Sequence, residues 1–135
     1  MRSAAFLLLA VGAAACASSA PLPRTAQAET ALQRELAGKV FDGKVLCLPA
    51  YRRNDMVIID NNTILFRDGN STVYRNDPQG GCSPLGSGFY TLLTVSIGAG
   101  GLCRGDIARV VDLSSRMTVG SCVLGDFVRY KTASR

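Results

Sequence analysis

Between Asp55 and Arg67 the apolar residues fall into two short runs, Met56-Val-Ile-Ile59 and Ile64-Leu-Phe66, separated by Asp60, Asn61 and Asn62. Apolar runs of this length, rich in β-branched residues and closed by Asn and Asp, predict the two strands of a hairpin. Asn tolerates positive φ better than most side chains, so Asn61-Asn62 suits a two-residue turn that sets Ile59 opposite Ile64 and Val57 opposite Phe66. Asp68-Gly69-Asn70 turns the chain again, into a third strand from Ser71 to Asn76. Asn76 to Gly88 is too rich in Gly and Pro for regular structure. Phe89 to Ile97, Asp106 to Leu113 and Asp126 to Lys131 then extend the pattern to about six strands. Short strands at this spacing predict an all-β domain, a small antiparallel barrel or sandwich.

Upstream of Lys39 the period changes. Ala28, Leu32 and Leu36 recur every four residues and Gly38 stands where a C-terminal cap belongs, which predicts one short N-terminal helix over Glu29 to Ala37. A helix of about ten residues is marginal alone and has to dock on a neighbour. Ala17 to Ala28, with Ser18, Ser19, Pro21 and Pro23, has few large apolar residues to bury and predicts a tether.

The first residues carry an export pattern. Arg2 precedes an apolar run from Ala4 to Ala15, too short to span a bilayer as a helix. Ala13-Ala14-Ala15-Cys16 resembles the lipobox of bacterial lipoproteins, in which cleavage before an invariant Cys accompanies its lipidation. Ala13 departs from that motif, which usually has Leu there, and Ala-x-Ala also suits ordinary signal peptidase. A lipid on Cys16 and a soluble periplasmic or secreted product therefore stand as alternatives, the former expected. Ala17 after the Cys, by resemblance to the usual sorting rule, implies the outer membrane, facing the periplasm. The expected organisation is a signal segment over residues 1–15, a tether over 16–28, the helix over 29–38 and the β domain over 39–131.

Composition excludes several chemistries. The 135 residues contain no His, which removes Ser-His-Asp triads, Cys-His pairs and His-ligated zinc or haem. Without residues 1–15, which hold only Arg2 among the 15 basic residues, 14 basic residues face 10 acidic ones, a net charge of +4. The charge is scattered, and only Arg52-Arg53 are adjacent. No basic stripe with interleaved aromatics points to nucleic acid, and anionic headgroups, lipopolysaccharide or acidic glycan suit an envelope protein better.

A β domain of about 90 residues has a limited core, and an exported one is expected to be stapled by disulfides. Cys47, Cys82, Cys103 and Cys122 supply an even number, with three connectivities open. Cys47 with Cys82 and Cys103 with Cys122 is the expected pairing, because each bridge then brackets neighbouring antiparallel segments. A four-cysteine zinc site is the alternative, but no Cys-x-x-Cys occurs. The order Cys47-Leu, Thr63-Ile-Leu-Phe-Arg, Val73-Tyr-Arg-Asn76, Gly81-Cys82, Leu102-Cys-Arg-Gly-Asp106 and Cys122-Val-Leu-Gly-Asp-Phe127 resembles a group of small exported bacterial four-cysteine proteins with a domain of unknown function. The resemblance spans roughly residues 44–130. It implies a compact disulfide-bonded envelope domain and transfers no catalytic residue.

Asp106 and Asp126 each follow a Gly shortly after a cysteine, so a Cys103–Cys122 bridge would bring the two carboxylates together. Such a pair could serve as glycosidase-like acid and base or hold calcium, and its simpler role is to accept N–H bonds at turns that open strands. Tyr74, Arg75 and Asn76 could form an aromatic and polar edge that binds a sugar or peptide, although alternation alone would send Val73 and Tyr74 to opposite faces. Tyr51, Arg52 and Arg53 have the same standing. Arg104-Gly105-Asp106 and the sequons at Asn61 and Asn70 are read as turns, and Gly98-Ala-Gly-Gly101 lacks the Lys-Ser/Thr of a phosphate loop, so no cofactor and no metal is expected. Three function classes remain: a non-enzymatic envelope lipoprotein binding a protein or cell-envelope component, an inhibitor of a secreted hydrolase, and an enzyme using Asp106 and Asp126. The first is expected, with the membrane reached through Cys16. Against a basic target such as lysozyme, a net +4 inhibitor would carry the wrong sign of charge.

Overall fold

The computed structural model describes residues 23–48, 55–94 and 101–133. The signal segment, Cys16, most of the tether and Tyr51, Arg52 and Arg53 lie outside the described residues. The helix, α1 (Ala26–Leu36), begins three residues before the apolar period suggests. Thr25 explains the earlier start: it is extended at φ −65° and ψ 152°, and its hydroxyl accepts a hydrogen bond from the Ala28 N–H at 3.2 Å. Glu29 in the first turn complements the positive end of the helix. Ala28 and Leu32 are buried, as the period of four requires, and pack on Ile59, Leu65 and Val73.

Among the described residues ten strands follow: β1 (Lys39–Val45), β2 (Cys47–Leu48), β3 (Met56–Asp60), β4 (Thr63–Asp68), β5 (Thr72–Asn76), β6 (Tyr90–Thr94), β7 (Leu102–Cys103), β8 (Ile107–Asp112), β9 (Thr118–Val123) and β10 (Phe127–Thr132). A five-stranded antiparallel sheet runs β1-β10-β5-β4-β3, a three-stranded one runs β6-β8-β9, and β2 pairs with β7. The result is a sandwich and not a closed barrel. One face of the large sheet packs on the small sheet through Ile64, Phe66, Tyr74 and Phe127 against Leu92, Ala108, Val110 and Cys122, and α1 lies on the other. Phe66 and Phe127 meet edge to face with ring centroids 5.7 Å apart. Because both faces of the large sheet are covered, Thr63, Ile64, Leu65 and Phe66 are all buried in succession.

Four strands were not foreseen: β1, β9 and the short pair β2 and β7. In β1, Asp42-Gly43 looks like turn punctuation but forms a bulge: the register shifts between Phe41 and Lys44, and Gly43 has φ 103°. In β9, Gly120 and Ser121 lower the strand signal, yet Gly120 is needed, since a Cβ there would meet the Ser83 carbonyl oxygen at 2.8 Å. The hairpin register also differs from the expectation. Ile58, not Ile59, faces Ile64; Val57 faces Leu65, Met56 faces Phe66, and a bulge falls between Ile58 and Asp60. Alternation along β3 sends Met56 and Ile58 to the core between the sheets and Val57 and Ile59 beneath α1. Neither Asn61 nor Asn62 has positive φ. The turn is closed by Asp60, whose carboxylate accepts from the Asn62 N–H at 2.7 Å.

The four cysteines form two disulfides, but the pairing is Cys47 with Cys103 and Cys82 with Cys122. The expected partners were chosen from sequence neighbours. In the fold, β2 pairs in register with β7, setting Cys47 directly opposite Cys103. Cys82 is brought over β9 by its N–H bond to the Asn61 carbonyl at 2.6 Å and by the Gln79–Val123 bridge. With all four sulfurs in disulfides, none is left as a zinc ligand.

Candidate functional site

Asp106 and Asp126 do lie on neighbouring segments, for a different reason from the one expected. Backbone bonds from Gly105 N–H to the Leu124 carbonyl (2.9 Å) and from Leu124 N–H to the Asp106 carbonyl (3.0 Å) join the two segments without a bridge between Cys103 and Cys122. Each carboxylate is otherwise engaged. Asp106 accepts from the Cys103 N–H at 2.7 Å, closing the turn that Gly105, at φ 88°, permits. Asp126 accepts from the Arg104 guanidinium at 3.2 Å. Arg104-Gly105-Asp106 is therefore the turn that opens β8. Among the described residues, no group of three or more acidic or cysteine side chains gathers as metal ligands.

The cluster Tyr74, Arg75 and Asn76 is split by the pleat. Tyr74 is 3% exposed and belongs to the core between the sheets, so its ring offers no stacking surface. Arg75 faces outward and pairs with Asp77 at 2.8 Å. That pair joins a network at the foot of α1: Asp77 accepts from the Thr63 hydroxyl at 3.0 Å, Thr63 from Arg24 at 2.6 Å, and Arg24 also pairs with Asp60 at 2.7 Å. Asn76 is wholly buried. Its amide donates to the Gly125 carbonyl at 2.8 Å and the Asp126 carbonyl at 3.3 Å, and its oxygen accepts from the Gly125 N–H at 3.1 Å. The side chain thus acts as a missing piece of strand for a segment held close against β5, where a Cβ on Gly125 would run into the Asp77 carbonyl oxygen.

A different surface emerges on the small sheet. Register puts Thr91 beside Val111, Leu93 beside Arg109 and Ile107 beside Val123 on its outer face, opposite the core residues Leu92, Ala108 and Val110. Leu93 and Ile107 are each 52% exposed. At one end the Leu113 N–H donates to the Phe89 carbonyl at 3.1 Å and the Asp112 N–H to the Met117 carbonyl at 2.9 Å, so the backbones of Phe89, Leu113 and Met117 meet at the same end of the sheet. They are the most exposed of this group, at 73%, 59% and 66%.

The β8–β9 loop that carries Leu113 and Met117 is closed by hydrogen bonds to Asp112. One oxygen of Asp112 accepts from the Ser114 hydroxyl (2.5 Å), the Ser114 N–H (2.8 Å) and the Ser115 N–H (2.7 Å). The Ser114 hydroxyl, with the N–H groups of Ser115 and Ser114, holds the Asp112 carboxyl down at about 2. Arg116 adopts a left-handed φ of 59°, which a non-glycine residue rarely takes.

Sequence reasoning named none of these surface positions. The signal was present: Leu92-Leu93 and Val110-Val111 place apolar residues on both faces of their strands, so a sheet covered on one side only must expose the others. No protein-family model matches the chain, and neither curated proteins nor solved structures give a match.

Proposed function

We propose that this chain is a non-enzymatic, lipid-anchored protein of the bacterial envelope whose β domain binds a partner protein through the outer face of the small sheet. The observation that carries the reading is the outer face of the small sheet, where among the described residues Leu93 and Ile107 stand exposed beside Arg109, since exposed apolar side chains rimmed by polar ones mark interaction surfaces. Two disulfides suit an oxidising compartment, and the lipobox-like Ala13-Ala14-Ala15-Cys16 supplies the anchor. The engagement of Asp106 and Asp126 in a turn and an ion pair favours a structural role for both over acid–base work.

The test uses the oxidised protein as bait in detergent-solubilised envelopes, beside a Leu93→Ser/Ile107→Ser variant. A partner captured by the native face and lost by the variant supports the proposal. Equal capture by both baits would place the binding surface elsewhere. The anchor is tested separately, by whether Cys16→Ser moves the protein from the detergent phase to the aqueous phase.

A further inference from the structure

Arg109 stands in the middle of the outer face of the small sheet. Along β8 it falls between Ile107 and Val111, about 7 Å from each at strand rise. Across the sheet it lies in register with Leu93 on β6 and with Ser121 on β9. Alternation turns these side chains away from Ala108 and Val110, which are buried in the core. Arg109 is exposed, as are Leu93 and Ile107. One guanidinium is thus framed by aliphatic and hydroxyl side chains on the flat of the sheet.

The chain supplies no carboxylate for it. Arg24, Arg67, Arg75, Arg104 and Arg129 each pair with an acidic side chain, whereas Arg109 has no ion-pair partner among the described residues. Residues 1–22, 49–54, 95–100 and 134–135, which lie outside the described ones, contain no Asp or Glu. The acidic residues nearest along the chain are engaged elsewhere, Asp106 with the Cys103 N–H and Asp112 with Ser114 and Ser115.

This charge pattern selects among occupants. A second copy seated about a two-fold axis would bring the patch onto itself and set Arg109 against Arg109, a repulsive contact. Anionic bilayers and other polyanions are held by clusters of Lys and Arg, and the outer face carries one cation among the described residues. A protein surface that offers one carboxylate between aliphatic side chains matches the face in both charge and polarity. Arg is enriched at the energetic centres of protein interfaces, and its planar fork takes a carboxylate through two parallel N–H bonds.

We infer that the partner of this face is a protein segment bearing a single Asp or Glu flanked by aliphatic side chains, its carboxylate on the Arg109 guanidinium and its aliphatic groups on Leu93 and Ile107. This partner chemistry rests on the outer face being the binding surface proposed above, and goes beyond it by naming what the face holds.

The oxidised full chain, isotope-labelled at arginine and methyl positions, is titrated by nuclear magnetic resonance with the blocked peptide acetyl-Leu-Ser-Glu-Ser-Leu-amide. In extended form this peptide presents Leu, Glu and Leu on one face. Peptides with Gln or Lys in place of Glu serve as controls. The Arg109 Nε–H signal and the Leu93 and Ile107 methyl signals should move, with the Gln peptide binding at least about threefold more weakly than the Glu peptide and the Lys peptide more weakly still. Arg109→Gln should bind the Glu and Gln peptides equally, and Arg109→Lys should keep only part of the preference because it lacks the fork. Methyl signals of the core that stay in place in both variants show that the fold is kept. Equal binding of the Glu and Gln peptides to the native face would overturn the acidic partner while leaving the face as a binding surface. No movement of these signals with any peptide at millimolar concentration would overturn both. Stronger movement with phosphatidylglycerol vesicles or a glucuronate oligosaccharide than with the Glu peptide would also overturn the acidic partner, and would assign the face to a membrane or a glycan.

Discussion

Asn76 provides the most direct test of whether the segment around Asp126 is held by structure or kept for a ligand. Asn76→Ala removes the amide that donates to the Gly125 and Asp126 carbonyls and the oxygen that accepts from the Gly125 N–H. Gly125 is itself buried, so its N–H is left without a partner and without water. An orphaned buried polar group costs about 1–3 kcal/mol, and the carbonyls and the small cavity add to it, for a total of roughly 3–5 kcal/mol. That is a large fraction of the ~5–15 kcal/mol that holds a domain of this size. It corresponds to a fall in Tm of about 15 °C or more. Urea unfolding followed by far-ultraviolet circular dichroism measures it directly. Asn76→Asp keeps the shape but aims a carboxylate at two carbonyls. It should be destabilised at neutral pH and recover partly in acid, where the protonated group can donate again. A loss below about 1 kcal/mol for Asn76→Ala would refute the clasp.

Gly125→Ala should destabilise the domain by about 2 kcal/mol or more, because the added methyl collides with the Asp77 backbone and neither segment can move freely; denaturant midpoints check this. Peptide mapping of the unreduced protein should yield Cys47 linked to Cys103 and Cys82 linked to Cys122, and a Cys47–Cys82 peptide would refute the fold as described. Each bridge closes a loop that contributes about 4 kcal/mol in the chain-entropy model. Cys47 is exposed while Cys82 and Cys122 are buried, so mild reductant with alkylation should label the first pair before the second. Asp112 has its carboxyl held at about 2, below its ordinary 3.8, so its contribution is complete above about pH 4 and is lost as pH falls towards 2. Thermal melts should show Asp112→Ala less stable than the native chain at neutral pH, with the gap closing across that acid window.

Much of the local structure is legible in the residues themselves. The period of four in Ala28, Leu32 and Leu36 places a helix with one buried stripe, because helical geometry alone sets which side chains align. The strand pattern from Met56 to Asn76 places a three-stranded meander, and the four cysteines of the β domain point to two disulfides. These features depend on backbone geometry and on nearest neighbours along the chain.

Register, disulfide partners and the fate of each candidate side chain depend on what lies across space. Both faces of the large sheet are covered, by α1 on one side and the small sheet on the other, and the register shift between Ile58 and Asp60 that moves Ile64 opposite Ile58 is set across strands, not within one window of sequence. Cys47 meets Cys103 because β2 pairs with β7, 56 positions apart in sequence. Tyr74 and Asn76 look like a polar, aromatic edge by type, yet the pleat and the packing of Gly125 make one a core residue and the other a buried clasp. The same sequence makes Leu92 core and Leu93 surface only because a second layer covers one side of the small sheet. The sequence shows that apolar residues stand on both faces of these strands, but which face is covered is decided by long-range packing.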